Sequence, residues 1–300
     1  MKKARILSFM LLFFIALVGI VYYVYVTRPS DTSKIHISSN PWIGFTPFIY
    51  AQEKGWLEKT SFKFIWLVDL DQNSHLFERG FTQGFTATQY ELLHFNQREK
   101  SKPVFLIDRS YGADAIVSNR SIEELKSSKE VIDIYLEQGT LNDDFLDAFI
   151  KEKKLSSLKF HKINASQKNI LSLKENKKPI IIISYQPYLS ALLKKGYQPI
   201  ASTRTMESFF VIDALFVDEK TIKGREKEFI QLKKLFSVAV ERLRTNPHEY
   251  YETIKGYLEG QSYEEFMATT TQIEWLHQKN DPKIIDHLRT KQIKTDGLIP

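Results

Sequence analysis

The chain has 300 residues, no cysteine and a formal net charge of +6. The lack of cysteine excludes disulfides, thiol catalysis, zinc sites built from cysteine and attachment through a lipobox cysteine. Residues 1–30 hold four basic side chains and no acidic one, which leaves 38 basic against 36 acidic residues in the rest, so a nucleic-acid-binding protein is also excluded.

The N-terminal segment is apolar and long enough to cross a membrane. Residues 6–26 carry no charge, and at 1.5 Å per helical residue they span roughly 30 Å. The basic residues before this segment place the rest of the chain on the extracytoplasmic side, periplasmic or at the cell surface. We expect residues 1–30 to be an uncleaved membrane anchor. A cleaved signal sequence is the alternative, although no small-x-small site precedes Arg28.

From residue 34 onward, predicted strands alternate with predicted helices. The strands are at 34–38, 62–68, 85–88, 104–107, 131–136, 158–163, 179–184 and 211–217, and the first helices at 48–54, 72–79 and 90–96. This order is typical of parallel β-α units. The uninterrupted apolar run at 179–184 predicts a central strand buried on both faces. The capping box Ser121–Glu124 predicts the start of a helix. After Asp218, which we expect to cap a helix, the chain is predicted to be helical: 225–245, 247–258, a helix after the capping box Ser262–Glu265, and a last helix from 281.

The first strand leads into a loop that could bind a ligand. The carboxyl end of a strand in an open α/β sheet is a common ligand site. Trp42 and Phe45 offer flat apolar surface there, and Gly44 permits close approach of the backbone. The alternative is that Trp42 and Phe45 are ordinary core residues of a β-to-α turn.

Two further segments carry candidate site residues. Residues 106–118 include Ser110, Tyr111 and Asp114 and could cross from one lobe to another, although a strand–turn–strand with a solvated aspartate is an alternative. Asn142 is predicted to cap a helix that starts at Asp143. Acidic residues in that first turn already neutralise the helix start, which disfavours an anionic ligand there.

The order of these motifs resembles one protein family. The pattern W-x-G-[FY]-x-P-x-x-x-A at 42–51, S-x-G-A-D-A-I-V at 110–117 and Y-Q-P-Y at 185–188 is similar to nitrate/taurine/sulfonate-type (NitT/TauT) ABC-transporter substrate-binding proteins, including thiamine-precursor-binding members. The chain departs from the family at Tyr185, where tryptophan is usual, and at Gln186, where glutamate is usual. The missing carboxylate favours an uncharged or zwitterionic ligand over a cationic amine.

The resemblance implies an α/β, two-lobed periplasmic-binding-protein type II fold with a helical C-terminal tail. The first lobe would comprise residues 34–114 and 212–300, and the second lobe residues 115–211. The ligand would lie between lobes that close by hinge motion. The implied ligand-binding residues are Trp42, Gly44, Phe45, Thr88, Ser110, Tyr111, Asp114, Thr140, Tyr185, Gln186 and Tyr188.

The expected function is capture of a small organic solute, of sulfonate, pyrimidine or related type, and its delivery to an ABC permease and ATPase. No catalytic motif is present and the seven histidines are scattered, so we expect no enzyme activity, metal or cofactor. A membrane-tethered ligand-sensing domain that signals to a membrane partner is the alternative. An enzyme using Asp108, Asp114 and Asp213 is a third possibility, although hydrogen bonding at a hinge is favoured for them. The enzymes that share the implied fold, the thiamine-pyrimidine synthases, look cysteine-rich at their active site, and this chain has no cysteine.

Overall fold

The computed structural model describes residues 34–299 except 68–69, 96–97, 175–176, 207 and 279. The predicted membrane segment at 6–26 and the predicted anchor at 1–30 lie outside these residues. Within the described part, none of the helices combines the length and the apolarity needed to cross a membrane. From residue 35 onward, the described residues form one compact unit.

Eleven strands among the described residues form two sheets. The strands are β1 Ile35–Ser39, β2 Phe62–Trp66, β3 Gly84–Thr88, β4 Ser101–Ser110, β5 Asp114–Ser118, β6 Ile132–Leu136, β7 Phe160–Asn164, β8 Ile180–Tyr185, β9 Gln198–Ser202, β10 Ile212–Asp218 and β11 Ile273–Trp275. The first sheet has the order β11-β4-β10-β3-β1-β2, and the second sheet has the order β7-β6-β8-β5-β9. The alternation in the sequence therefore correctly predicts an α/β architecture.

Twelve α-helices in the described part surround the sheets. They are α1 Thr46–Glu53, α2 Leu70–Glu78, α3 Gln89–His94, α4 Ile122–Ser127, α5 Leu141–Glu152, α6 Gln167–Leu171, α7 Tyr188–Lys194, α8 Glu219–Ile222, α9 Glu226–Thr245, α10 Pro247–Ile254, α11 Tyr263–Thr270 and α12 Pro282–Thr290. Three 3-10 turns lie at Ile43–Phe45, Arg98–Lys100 and Lys255–Tyr257. The capping boxes predicted at Ser121–Glu124 and Ser262–Glu265 are confirmed, as is the Asp218 cap.

The chain changes sheet twice. It leaves the first sheet after β4 and enters the second at β5, and it returns between β9 and β10. Strand β10 lies antiparallel between β3 and β4, whereas β1 pairs in parallel with β2 and β3. Both changes of sheet fall close to the lobe boundaries implied by the resemblance, 114/115 and 211/212, which stay predictions.

The second sheet is organised around β8, the apolar run of the sequence. All six residues of β8 are buried and the strand lies in the middle of the sheet, so this prediction is confirmed. Its first four residues, Ile180 to Ile183, are at most 1 % exposed. An apolar stretch of this kind can be buried on both faces without placing a polar side chain in the core.

Aromatic packing holds the C-terminal helices against the first sheet. Phe48 of α1 lies 4.5 Å from Phe64 of β2 and 4.8 Å from Phe236 of α9, measured between ring centroids. Tyr50 and Tyr250 stack at 4.5 Å, which joins α10 to α1. Burial of such rings is a dominant favourable term in folding.

Two local predictions are wrong. Asn142 does not cap α5, because Thr140 is the N-cap and its hydroxyl accepts a hydrogen bond from the Asn142 N–H. The segment after residue 218 is not wholly helical, because residues 273–275 form β11 against β4. Three residues are too few for an alternating pattern to emerge, so only the partner strand reveals them.

Candidate functional site

One small cavity lies where elements of both sheets meet. From the first sheet and its connections come Trp42, Phe45, Leu70, Thr88 and Asp213, and from the second sheet and its connections come Asp114, Leu141 and Tyr185. The free space is about 10 Å³, roughly the room of one water molecule. Strands β3 and β8 end at the cavity with Thr88 and Tyr185, so the sheets deliver side chains to it as expected of strand carboxyl ends.

Gly44 allows the loop after β1 to lie against strand β4. The indole N–H of Trp42 points at both carboxylate oxygens of Asp108, at 3.4 Å from each. A Cβ at position 44 would overlap the Asp108 carboxylate and crowd the Trp42 nitrogen. Glycine is therefore required here by space, because a side chain would displace the carboxylate from the indole.

Asp108 and Asp213 face each other on neighbouring strands. The two residues are register partners on β4 and β10, and they are 0 % and 3 % exposed. Burial raises the pKa of both carboxyl groups well above the usual range, and for Asp213 the nearby charges of Asp108, Asp114 and Glu91 add to the rise. The Trp42 N–H opposes the rise at Asp108. Both carboxyl groups therefore favour their protonated form more strongly than an exposed aspartate does.

Asp114, at the start of β5, is the second acidic group at the cavity. Burial raises its pKa to about 7, the Ser110 hydroxyl opposes the rise, and the charge of Glu91 adds to it. Its Oδ2 is buried and receives no hydrogen bond from the described chain, and the same is true of Asp213 Oδ2. Unpartnered buried oxygens are costly, so these two atoms indicate a place where a ligand or a water would be stabilised.

Aromatic rings line the cavity together with the acids. The rings of Trp42 and Tyr185 meet edge to face with centroids 6.0 Å apart, and Tyr188 meets Tyr185 in the same way at 5.6 Å. Trp42 is 4 % exposed and Tyr185 is 1 % exposed. Trp42 is therefore a core residue, as the alternative held, and its ring also lines the cavity, while its role in ligand binding stays a prediction.

Glu91 ties the two halves of the site together. One of its carboxylate oxygens accepts the N–H of Thr88, which closes a capping box on α3. The other oxygen accepts the N–H of Leu141 at 2.8 Å, at the start of α5 in the other half. One buried carboxylate thus satisfies orphan N–H groups at the beginning of two helices.

A second tie, made of amides, lies beyond Tyr185. Gln186 Nε2 donates to Gln272 Oε1 at 3.1 Å, and Gln186 Oε1 accepts from Gln261 Nε2 at 3.0 Å and from the Ser190 hydroxyl at 2.8 Å. The amide is 2 % exposed. Gln186 therefore connects the second sheet to the C-terminal helices instead of facing the cavity.

The predicted site residues divide into two groups. Five line the cavity: Trp42, Phe45, Thr88, Asp114 and Tyr185. The other six do not line it. Gly44 lies against Trp42 and Asp108, the Ser110 hydroxyl is hydrogen-bonded to Thr203, and Thr140 caps α5. Tyr188 packs on Tyr185, Gln186 is hydrogen-bonded to other amides, and Tyr111 is 37 % exposed beside Arg109 and Arg204. The assignment of all eleven to ligand binding stays a prediction.

Sequence reasoning missed Glu91, Leu70 and Leu141. The pattern Thr88-x-x-Glu91 is a capping-box signature and could have marked Glu91 as a helix start, but its reach to Leu141 has no local signal. Asp108, Asp114 and Asp213 do lie together, as the third possibility required. Among the described residues, no group of histidine and acidic side chains has metal-binding geometry.

A larger groove lies elsewhere, at the junction of β4, α8 and the chain end. It has a volume of about 440 Å³ and is lined by Lys102, Glu219 and Asp296 among others. Lys102 pairs with both acids, at 3.5 Å and 2.9 Å. Its charges are thus already neutralised, and it lacks the buried unpartnered oxygens of the cavity between the sheets.

Comparison with known proteins places the fold in a defined class. No protein-family model matches the sequence, and no curated protein is similar to it in sequence. Solved structures are similar in fold. The ligand-binding component of an ABC-type import system from Staphylococcus aureus, with zinc bound, is 11 % identical, with 87 % of this chain and 91 % of that chain covered and a TM-score of 0.66.

Two further structures belong to named binding proteins. The alkanesulfonate-binding protein SsuA from Xanthomonas axonopodis pv. citri, bound to MOPS, is 12 % identical over 86 % of this chain and 91 % of that chain, with a TM-score of 0.65. The periplasmic nitrate-binding protein NrtA from Synechocystis PCC 6803 is 10 % identical over 78 % and 68 %, with a TM-score of 0.55. The chain has the fold of nitrate/taurine/sulfonate-type substrate-binding proteins, which confirms the predicted resemblance at the level of fold.

Proposed function

We propose that the protein is an extracytoplasmic solute-binding protein that captures a small organic solute between its two sheets and delivers it to an ABC permease and ATPase. The observation that carries this proposal is the cavity itself, because both sheets contribute side chains to it where their strands end. The structural neighbours described as import-system components support the same role. Residues 6–26 would hold the domain at the membrane.

Closure around the solute would form the contacts that join the two halves. The Glu91–Leu141 hydrogen bond and the 2.6 Å contact between His94 Nε2 and Asp144 Oδ2 join α3 to α5. The Gln186–Gln261 hydrogen bond joins the halves on the other side. With about 10 Å³ free inside, an organic solute would enter only when these contacts open, as in hinge-type closure.

The acidic residues support binding rather than catalysis. The Asp108 oxygens both face the Trp42 N–H, and burial raises the pKa of Asp108. No serine, lysine or histidine lines the cavity as a nucleophile or proton acceptor beside them. The lining offers recognition groups, and in the proposed cycle no bond of the solute is made or broken.

A ligand screen by thermal shift tests the proposal. Sulfonates, nitrate, pyrimidines, amino acids and polyamines are added separately to the purified chain, and a true ligand raises the melting temperature. The rise should be lost in Trp42→Ala and retained in Trp66→Ala, whose ring packs on Phe64 and Tyr257 and does not line the cavity. Stabilisation that survives Trp42→Ala would place the binding site elsewhere.

Genomic context separates transport from sensing. Neighbouring genes for a permease and an ATPase support delivery to an importer. A neighbouring kinase or cyclase would support the alternative, in which the tethered domain reports ligand occupancy to a membrane partner.

A further inference from the structure

The cavity between the sheets is acidic and contains no base. Two of its eight lining residues are aspartates, and neither lysine, arginine nor histidine is among them. Asp114 and Asp213 are 2 % and 3 % exposed, and each has an Oδ2 atom that receives no hydrogen bond from the described chain. A buried acid with an unused oxygen facing a cavity is most strongly stabilised by a donor that carries positive charge.

The usual anchor for an anion is already taken. The first turn of α5 could offer free N–H groups to a sulfonate or nitrate. The Leu141 N–H instead donates to Glu91, the Asn142 N–H to the Thr140 hydroxyl, and the Asp143 N–H to the Thr140 carbonyl. Glu91 thus takes the place that an anionic ligand would occupy, and two aspartates in the same turn repel a second anion.

The aromatic wall suits a cation as well. The Trp42 ring lines the same cavity as the acids and meets Tyr185 edge to face at 6.0 Å. Indole is the best aromatic partner for a cation, and the attraction is strongest where water is excluded. The loss of a family carboxylate at Gln186 therefore does not leave the site without negative charge, because Asp114 and Asp213 supply it from other strands.

We infer that the solute is a small organic ammonium ion, whose N–H groups donate to Asp114 and Asp213 while Trp42 covers its body. This inference rests on the proposed function, since it places the ligand in the cavity between the sheets. It reverses the preference for an uncharged or zwitterionic ligand that follows from Gln186 alone.

Binding of a cation would be linked to proton release from Asp114. The acid has a pKa of about 7, so below that value the ligand must displace a proton. The charged groups that face Asp114 are Glu91, Asp108 and Asp213, and all are acids. Negative charge on each of them favours the protonated form of Asp114 in the empty site. The same charge favours a bound cation once the ligand is present.

The test compares ligands matched in size and different in charge. Titration calorimetry on the purified full chain in mild detergent uses butylamine, putrescine, 1-butanol, 1-butanesulfonate and nitrate, with Mg²⁺ and Zn²⁺ as separate arms. We expect the amines to bind and the alcohol, the sulfonate and nitrate to show at least 100-fold weaker binding. Amine affinity should rise about tenfold per pH unit from pH 5.5 to 7 and then level off, and buffers of different ionisation enthalpy should report proton release at pH 6.

Aspartate-to-asparagine variants test which carboxylates bind the amine. Asp114→Asn should lower amine affinity at least 30-fold at pH 7.5 and remove the rise with pH. Asp286→Asn, a change of the same chemistry at a side chain that is 73 % exposed, should change neither. Asp213→Asn is the second variant if Asp114→Asn fails to fold, and it should lower affinity at least tenfold.

Each outcome decides a different point. Binding of the sulfonate or nitrate in preference to the amines would overturn the inference and leave the proposed function standing. Binding of Mg²⁺ or Zn²⁺ alone would show that the acids hold a metal ion, which also overturns it. Binding of none of the probes, by calorimetry and by the thermal screen, would overturn the inference and the proposed function together.

Discussion

Two buried polar clusters, one of acidic and one of basic residues, differ in what lies beside them. The first contains Asp108, Asp114 and Asp213 and borders the cavity between the sheets. The second contains Lys233 of α9 and His277, just after β11, and lies beneath the C-terminal segment, where the Lys233 ammonium donates to the Ile299 carbonyl at 3.1 Å. Burial removes water from the residues of both clusters. This desolvation raises the pKa of an acid and lowers the pKa of a base.

The difference between the clusters separates function from packing. Burial raises the pKa values of the acids, whereas it lowers those of Lys233 and His277. Asp114 and Asp213 line a cavity, and each has an unpartnered carboxylate oxygen. His277 has two unpartnered ring nitrogens, but its ring packs edge to face against Phe236 and Trp275, with ring centroids 5.4 Å and 6.2 Å apart. A neutral base sealed among rings serves packing, and an acid beside a cavity can serve recognition.

The largest predicted effect is an unusual pH dependence from Asp114. Its pKa in the folded state is about 7 against a usual 3.8, so the folded state holds more protons than the unfolded state between pH 4 and 7. Stability therefore falls as pH rises through this window, by about 4 kcal/mol for this group. Urea denaturation of the chain from residue 31 onward, from pH 4.5 to 8, measures the fall. In Asp114→Asn this part should vanish, and an unchanged slope would contradict the assignment.

The next effect has the opposite sign and comes from His277. Burial, with a smaller contribution from Lys233, lowers its pKa from the usual 6.5 to about 4. The unfolded state binds the proton first, so stability is lost as pH falls from 6.5 to 4, by about 3 kcal/mol. His277→Phe keeps the ring contacts and should remove this loss in the same denaturation series. If this variant still loses stability as the pH falls from 6.5 to 4, then His277 is not the source of that loss.

The sequence predicted the parts of the fold that depend on neighbouring residues. The apolar run of β8, the capping boxes at Ser121 and Ser262, and the cap at Asp218 are local signals, and the structure confirms them. The candidate cavity depends on contacts between distant strands. Asp108 meets Asp213 only through the register of β4 with β10, and Glu91 reaches Leu141 only because α3 and α5 approach each other. Composition and periodicity describe neighbouring residues along the chain, so they do not predict contacts between distant strands and helices.

A smaller effect is expected from the indole donor of the acidic cluster. Trp42→Phe keeps most of the apolar contact but removes the N–H that Asp108 faces. Loss of one partner of a buried acid costs about 1–2 kcal/mol, and the pKa of Asp108 should rise further. Urea denaturation at pH 6 and pH 8 measures both consequences. Trp66→Phe, which loses an indole N–H bonded to the uncharged Gln52, is the matched control and should show no added pH dependence. Equal pH dependence in the two variants would contradict the role of the Trp42 N–H.

The smallest effect separates the two causes that act on His277. Lys233→Met keeps an unbranched apolar side chain in place and removes the buried ammonium, so we expect a stability change within about 1 kcal/mol. The charge of Lys233 is the second cause of the low pKa of His277, after burial. The pKa should therefore rise in this variant and still stay below 6.5, which NMR titration of the imidazole can measure. A return of the pKa to 6.5 would mean that the charge of Lys233, and not burial, lowers the pKa of His277. Desolvation would then not explain the pKa shifts in both clusters.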